Sequence, residues 1–239
     1  MFKIDKLLNF GRKNIKKFLS QRNFKTQNIL DIGAGGGTDL DIAKSIFPNA
    51  KLYACEGHPP YQAILKNKNI EVAAIDIEHH PFPYDDNTFD VIICNQILEH
   101  VKEIWWIMHE ITRVLKPNGS LIVGVPNLAS LHNRFFLAFG KQPSTIRNNS
   151  AHVRGYTKND FIAILDSAFP KGYKLENFYG GNFYPFPPAI ANPLAKVFPT
   201  MAVTIFLHFR KAGDYTNEFL VYPPKHKLET LFYLGENVE

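Results

Sequence analysis

Asp31-Ile32-Gly33-Ala34-Gly35-Gly36-Gly37 is the stretch that decides the fold. Asn28 to Ile32 reads as a buried strand, and Leu40, Ala43, Ile46 and Phe47 beyond the glycines form a helical stripe that Pro48 stops. A strand that turns through glycines into a helix is the first unit of an open α/β sheet, which binds ligands beyond the carboxyl ends of its strands. Glycines there let a bulky ligand lie against bare backbone, although a Gly-rich turn also has a purely conformational explanation.

Working outward, short β-branched runs alternate with helical stretches. Strands are expected at Lys51 to Cys55, Ile70 to Ile75, Phe89 to Cys94 and Ser120 to Val125, with later ones near Tyr173 to Phe178 and Ala202 to Phe209. Helices are expected around Tyr61 to Leu65, along the apolar face Val101, Ile104, Trp105, Met108, Ile111 and Leu115, near Leu128 to Phe139, and from Lys158 to Ser167. Lys116-Pro117-Asn118-Gly119 has turn chemistry. The pattern predicts a mostly parallel seven-stranded sheet with helices on both faces, an α/β fold of Rossmann-like type. The expected division is an amphipathic helical segment over 1–26, the α/β domain over 27–211, and a tail over 212–239 packed on it.

The second check on a nucleoside site is an acid at the end of the second strand, where a ribose diol needs a two-oxygen acceptor. Glu56 lies nineteen residues beyond Gly37, the right place for an adenosine-type cofactor. Two details argue against a nicotinamide dinucleotide. The dinucleotide fingerprint wants glycine at the sixth position from Gly33, and Thr38 stands there. Asp31 also puts a carboxylate near the pocket floor, unwelcome beside pyrophosphate but useful near a ligand carrying an ammonium and a sulfonium.

These residues resemble the first motif of the class I S-adenosylmethionine-dependent methyltransferases, an acid, any residue, then Gly-x-Gly-x-Gly. The likeness continues through Asp76-Ile77, the Phe82 to Val91 entry to the fourth strand, the exit Asn95-Gln96-Ile97-Leu98-Glu99-His100-Val101, and the turn Leu115 to Gly119. It covers about a hundred residues in the same order. The resemblance implies S-adenosyl-L-methionine as cofactor and S-adenosyl-L-homocysteine as product. It further implies that Asp31, Gly33, Ala34 and Gly35 line the methionine end, that Glu56, followed by Gly57, accepts the ribose hydroxyls, that Asp76 and Ile77 hold the adenine, and that Asn95 and Gln96 lie beneath the sulfonium. Asp76 also reads as a plain turn cap.

Methyl transfer is an in-line displacement in which the protein aligns the nucleophile and, for a hydroxyl, removes its proton. His100 and His152 are the candidate bases, histidine being the side-chain type suited to proton transfer near neutrality; each also reads as a structural residue of its loop. Some quinone-biosynthesis relatives hold a divalent metal in the exit loop through two acids and a histidine. Here Gln96 replaces the first acid, leaving Glu99 and His100, and no metal is expected. A looser resemblance, carried by Pro126-Asn127, Asn133-Arg134, His152 and Tyr156-Thr157, joins the chain to relatives of a methionine-biosynthesis methyltransferase and to enzymes of bacterial surface-polysaccharide pathways. It implies a small-molecule acceptor, a sugar or sugar-nucleotide hydroxyl or another small metabolite. No Asn/Asp-Pro-Pro-aromatic motif follows the fourth strand, which argues against nucleobase methylation.

Charge divides the chain unevenly. Eight basic residues, Lys3, Lys6, Arg12, Lys13, Lys16, Lys17, Arg22 and Lys25, face only Asp5 in the opening segment; that segment therefore carries +7 of a net +5, and the remainder is near −2. A body that is not basic argues against a long nucleic-acid groove. Ile4, Leu7, Leu8, Ile15, Phe18 and Leu19 recur at helical spacing, which predicts either a docked helix with a solvated basic face or a peripheral contact with anionic lipid or substrate. The two cysteines, Cys55 and Cys94, lie in apolar runs, so a reducing, cytoplasmic setting is expected. Met201 to Phe209, the longest late apolar run, is too short to cross a bilayer. The segment Phe178 to Pro188, dense in aromatics, glycine and proline before the last strand, reads as a lid, an ordered loop or a homodimer contact.

Overall fold

The structure is a computed structural model that describes residues 11–21 and 26–231. Ile4, Leu7 and Leu8 of the amphipathic pattern lie outside the described residues. The strands are β1 (Asn28–Ile32), β2 (Lys51–Cys55), β3 (Glu71–Ala73), β4 (Phe89–Asn95), β5 (Leu115–Pro126), β6 (Tyr173–Gly181) and β7 (Thr204–Lys211). They form one seven-stranded sheet in the order β3-β2-β1-β4-β5-β7-β6. The first five run parallel, and β7 is antiparallel to both β5 and β6. The chain reverses its stacking direction between β3 and β4, so the carboxyl ends of β1 and β4 adjoin and open a crevice there.

Strand alternation sorts the core into two layers. Leu30, Ile92, Leu121, Val123, Leu207 and Phe209 point to one face, against helices α4 (Ile104–Val114), α6 (Lys158–Ala168) and α8 (Glu218–Lys225). Ile29, Val91, Ile93, Ile122 and Phe206 point to the other, under α1 (Arg12–Ser20), α2 (Thr38–Ile46) and α3 (Pro59–Asn67). Helix α1 is docked: Ile15, Phe18 and Leu19 are fully buried while Lys13, Lys16 and Lys17 face solvent. Each such side chain contributes about 1.5–3 kcal/mol of burial, which offsets the missing side-chain cap at Gly11.

Several elements depart from the sequence reading. Lys116 to Gly119 do not separate helix from strand. Leu115 already pairs with Phe89, Ser120 pairs with Val91, and the turn residues between them form a bulge inside β5. Val101 lies outside α4, after a 3-10 turn over Leu98–His100. The third strand is shorter than expected and β6 runs on to Gly181, taking in Phe178 to Gly181 of the segment read as a lid, an ordered loop or a homodimer contact. The rest of that insertion contains α7 (Pro188–Val197), whose Ala191 and Ala195 bury against Phe183 and Ala202. The earlier helix α5 spans Leu131–Ala138. The tail forms α8, where Phe219 is fully buried and both Phe219 and Tyr222 lie against Trp105. No helix among the described residues is long and apolar enough to cross a membrane.

Candidate cofactor and methyl-transfer site

The glycine turn after β1 is held by its own backbone and by its neighbours. Gly33 N–H donates to Cys55 O of β2 at 2.9 Å, and Gly37 N–H closes on Ala34 O at 2.9 Å. Gly33 and Gly35 have φ of +68° and +52°, which L side chains rarely adopt. A Cβ at Gly33 would lie 2.7 Å from Ile97 Cδ1, whereas a Cβ at Gly35 or Gly36 meets nothing within 4 Å. The turn is thus packed below and open above. Beside it, Glu56 ends β2 with one carboxylate oxygen accepting from Gly35 N–H at 2.7 Å and the other from His58 N–H at 2.8 Å. Gln62 of α3 donates to Glu56 O at 2.8 Å.

The second wall is the exit of β4. Gln96 adopts φ +59°, its N–H bound to Gly124 O at 2.8 Å. Asn95 donates its amide to Asp39 Oδ2 at 2.9 Å, and Arg12 of α1 donates to Asp39 Oδ1 at 2.9 Å. Asp31, Asp39 and Glu56 are all buried. Burial, Asp39 and Glu56 push the Asp31 carboxyl well above its ordinary range, with Arg12 opposing. Burial also raises Asp39, against hydrogen bonds from Asn95 and Arg12. Three sequestered carboxyls therefore share the neighbourhood of one guanidinium, a field that favours a cationic ligand.

Buried polar atoms are almost always hydrogen-bonded, so exceptions that cluster mark a ligand surface. Among the described residues seven buried side-chain atoms lack a partner, and four of them, Asp31 Oδ2, Asn95 Oδ1, Gln96 Nε2 and Glu99 Oε2, belong to β1 and the β4 exit. The adenine candidates are placed less tightly. Asp76 is half-exposed and caps a turn, accepting from Glu78 N–H at 3.0 Å and from His79 Nδ1 at 2.8 Å. Partial burial would raise its carboxyl, but these bonds hold it below its ordinary range. Ile77 packs against the core, and a Cβ on Gly57 would lie 3.5 Å from Ile75 O, so the exits of β2 and β3 touch.

The two candidate bases meet. The rings of His100 and His152 pack edge to face at 4.7 Å. His152 Nδ1–H donates to Thr145 O at 2.7 Å and His100 Nδ1–H to Ala151 O at 3.2 Å, bonds that anchor each ring through Nδ1. Glu99 is buried beneath them, and burial pushes its carboxyl up to about 7. Ligand atoms of Glu99, His100 and His152 all lie within 4.8 Å of one another. His152, from the loop after α5, thus stands beside Glu99 and His100, the two ligand types left in the β4 exit loop. Two imidazoles and a carboxylate can hold a divalent cation or relay a proton. Sequence reading also missed Asp39 and Arg12. Asp39 sits in the first turn of α2, where an acid is explained by the helix dipole, and Arg12 was one of many basic residues.

Comparison with known proteins agrees with this geometry. Residues 30–123 match the family model described as a methyltransferase domain. The chain thus carries a methyltransferase domain over residues 30–123. Over 155 residues it is 24% identical to the ubiquinone biosynthesis O-methyltransferase of Photobacterium profundum, covering 59% of this chain and 62% of that protein. Its fold is similar to a SAM-dependent methyltransferase from Archaeoglobus fulgidus, with TM-score 0.60 and 13% identity over 87% of this chain and 98% of the other. It is likewise similar to the Burkholderia thailandensis 1,6-didemethyltoxoflavin-N1-methyltransferase, solved with 1,6-didemethyltoxoflavin and S-adenosylhomocysteine bound, with TM-score 0.60 and 15% identity over 88% and 82%. The chain spans about half the length of the curated relatives it matches.

Proposed function

We propose that this protein transfers the methyl group of S-adenosyl-L-methionine to a small-molecule acceptor, a hydroxyl of a sugar or sugar nucleotide. The observation that carries the reading is the cluster of unpartnered buried atoms on Asp31, Asn95 and Gln96 beside the open backbone of Gly35 and Gly36. The cofactor bears an ammonium, a sulfonium and a carboxylate, a net +1, which suits a site where buried acids outnumber the guanidinium. Asp31 would pair with the ammonium, Glu56 would accept the ribose hydroxyls, and Asp76 and Ile77 would flank the adenine. The bound cofactor supplies an electrophilic methyl. His152, with His100 beside it, would accept the hydroxyl proton at Nε2 as the new C–O bond forms and the C–S bond breaks.

Calorimetry tests the cofactor half. S-adenosylhomocysteine is expected to bind the wild type and to be lost in Glu56→Ala, with no comparable NAD affinity; equal or tighter NAD binding overturns the reading. Incubation with labelled cofactor and a panel of nucleotide sugars tests the acceptor half, and no labelled product from any of them sinks the sugar assignment. A lipid-linked acceptor is a second reading, favoured by the exposed Phe135, Leu137 and Phe139 around α5. Labelling of lipid extract but not of nucleotide sugars would select it.

A further inference from the structure

A cleft of about 330 Å³ opens between α1, the carboxyl end of β6 and helix α7. Lys13 and Lys17 reach it from α1 and Lys196 from α7, with Asn14, Asn182 and Asn192 between them, and among the described residues no carboxylate lines it. Lys17 Nζ lies 3.6 Å from the centre of the Tyr179 ring, which fixes one ammonium at the cleft wall. Asn14 ties the helix to the strand end, donating to Gly180 O at 3.2 Å. Three lysines lining one recess backed by glycine backbone, with no acid among its described lining residues, give it a positive potential suited to a multiply charged anion.

The cleft is also placed for use by the transfer site. Because β6 runs parallel to β5, Gly181 and Asn182 lie at the same end of the sheet as Gln96. The buried ring of Phe206 separates the two. A Cβ at Gly11 or Gly181 would lie 2.0 and 2.9 Å from one edge of it, and a Cβ at Gly124 would meet both its other edge, at 2.7 Å, and Asn95 Oδ1, at 2.5 Å. An acceptor with an anionic tail could thus be anchored one aromatic ring away from the β4 exit.

We propose that this cleft binds a phosphate or diphosphate group carried by a soluble acceptor. The assignment deepens the methyltransferase reading and rests on it only for the word acceptor; the anion site stands on the cleft itself. Lys13 and Lys196 are exposed, so removing them leaves the core intact.

Titration calorimetry of the full chain with inorganic pyrophosphate at fixed ionic strength is the test. Saturable binding is expected, weakened tenfold or more in Lys13→Ala/Lys196→Ala, with the melting temperature and S-adenosylhomocysteine affinity unchanged. No saturable binding, or equal binding by the double variant, overturns the site. UDP is expected to displace pyrophosphate, and displacement by phosphatidylglycerol vesicles but not by UDP overturns the soluble source. If pyrophosphate binds as expected while S-adenosylhomocysteine does not bind at all, the cofactor reading fails and the anion site survives.

Discussion

Glu56 spends both carboxylate oxygens on backbone N–H groups, Gly35 at 2.7 Å and His58 at 2.8 Å. The residue therefore shapes the glycine turn and keeps acceptors for the proposed ribose contact, since each oxygen retains a second lone pair. Glu56→Gln replaces one acceptor with an NH₂ that faces a backbone donor. This isosteric change is expected to destabilise the fold by about 1–3 kcal/mol, the cost of an unsatisfied buried group, and to weaken S-adenosylhomocysteine at least tenfold. Chemical denaturation and calorimetry read the two effects; wild-type cofactor affinity in Glu56→Gln would count against the ribose role.

Gly33 and Gly35 separate packing from ligand space. Both need a left-handed backbone, but only Gly33 has a neighbour in the way, Ile97 Cδ1 at 2.7 Å from a built Cβ. Gly33→Ala is expected to lower stability by roughly 2–4 kcal/mol, adding overpacking to backbone strain, with partial recovery in Gly33→Ala/Ile97→Ala. Gly35→Ala should cost only the strain, about 1–2 kcal/mol, yet abolish cofactor binding, because its methyl enters the open side. Thermal melts with and without S-adenosylhomocysteine check this. Cofactor-induced stabilisation persisting in Gly35→Ala would refute the placement.

Much of the fold was legible because the parallel half of the sheet is built from local units. The apolar runs at Asn28–Ile32 and Phe89–Asn95 are largely buried on both faces, and Lys51–Cys55 is buried at its carboxyl end, so pattern and tertiary environment agree. Helix α7 was hidden because it begins and continues through prolines, Pro188 and Pro193, that read as loop, while its burial depends on contacts with Phe183 and Ala202. Helix α8 was obscured in the same way by Pro223 and Pro224. At the site, Asp31, Gly33, Gly35 and Glu56 were visible from spacing. The pairing of Asp39 with Arg12, and of His100 with His152, joins residues 27 and 52 positions apart and is fixed only by packing.

His152 is the better oriented of the two proposed bases, its Nδ1–H anchored on Thr145 O at 2.7 Å against 3.2 Å for His100 on Ala151 O. Once an acceptor is identified, His152→Ala is expected to lower kcat by about 10²-fold or more with cofactor affinity unchanged. His100→Ala should cost less. Full turnover in His152→Ala would remove it as the base.

Arg113 ties the segment before β4 to α4, donating to both oxygens of Glu110 at 2.8 Å and to the carbonyls of Phe82 and Tyr84 at 3.0 and 2.8 Å. Burial alone would raise the Glu110 carboxyl; bonds from Arg113, His109 and the Phe82 N–H outweigh it and hold the group at about 2. A depressed carboxyl stabilises the fold above its unfolded value, near 4.5, and the contribution fades as pH falls toward 2. Arg113→Met leaves Glu110 buried without its cation and is expected to cost about 3–5 kcal/mol at pH 7. The gap from wild type should close as pH falls to about 3, where the uncompensated carboxyl is protonated. Urea denaturation at the two pH values measures it, and a gap independent of pH would show that the ion pair is not the cause.

Glu99 carries the opposite sign. Glu99 is 1% exposed, one carboxylate oxygen has no partner, and burial raises the carboxyl from 4.5 to about 7. A raised carboxyl contributes stability that is complete below the unfolded value and is lost as pH rises through the folded one, because the fold then has to accommodate a buried anion. The interval between 4.5 and about 7 corresponds to roughly 3 kcal/mol. Glu99→Gln keeps the shape and cannot ionise. Measured against wild type, it should gain about 3 kcal/mol between pH 5 and pH 8, a trend opposite to that of Arg113→Met, with near-equal m-values. Binding of a cation between Glu99, His100 and His152 would favour the carboxylate and flatten the trend, so the titration is run in chelator and again with Zn²⁺. A pH-independent difference in chelator would mean that the Glu99 carboxylate is already solvated or paired in the native state.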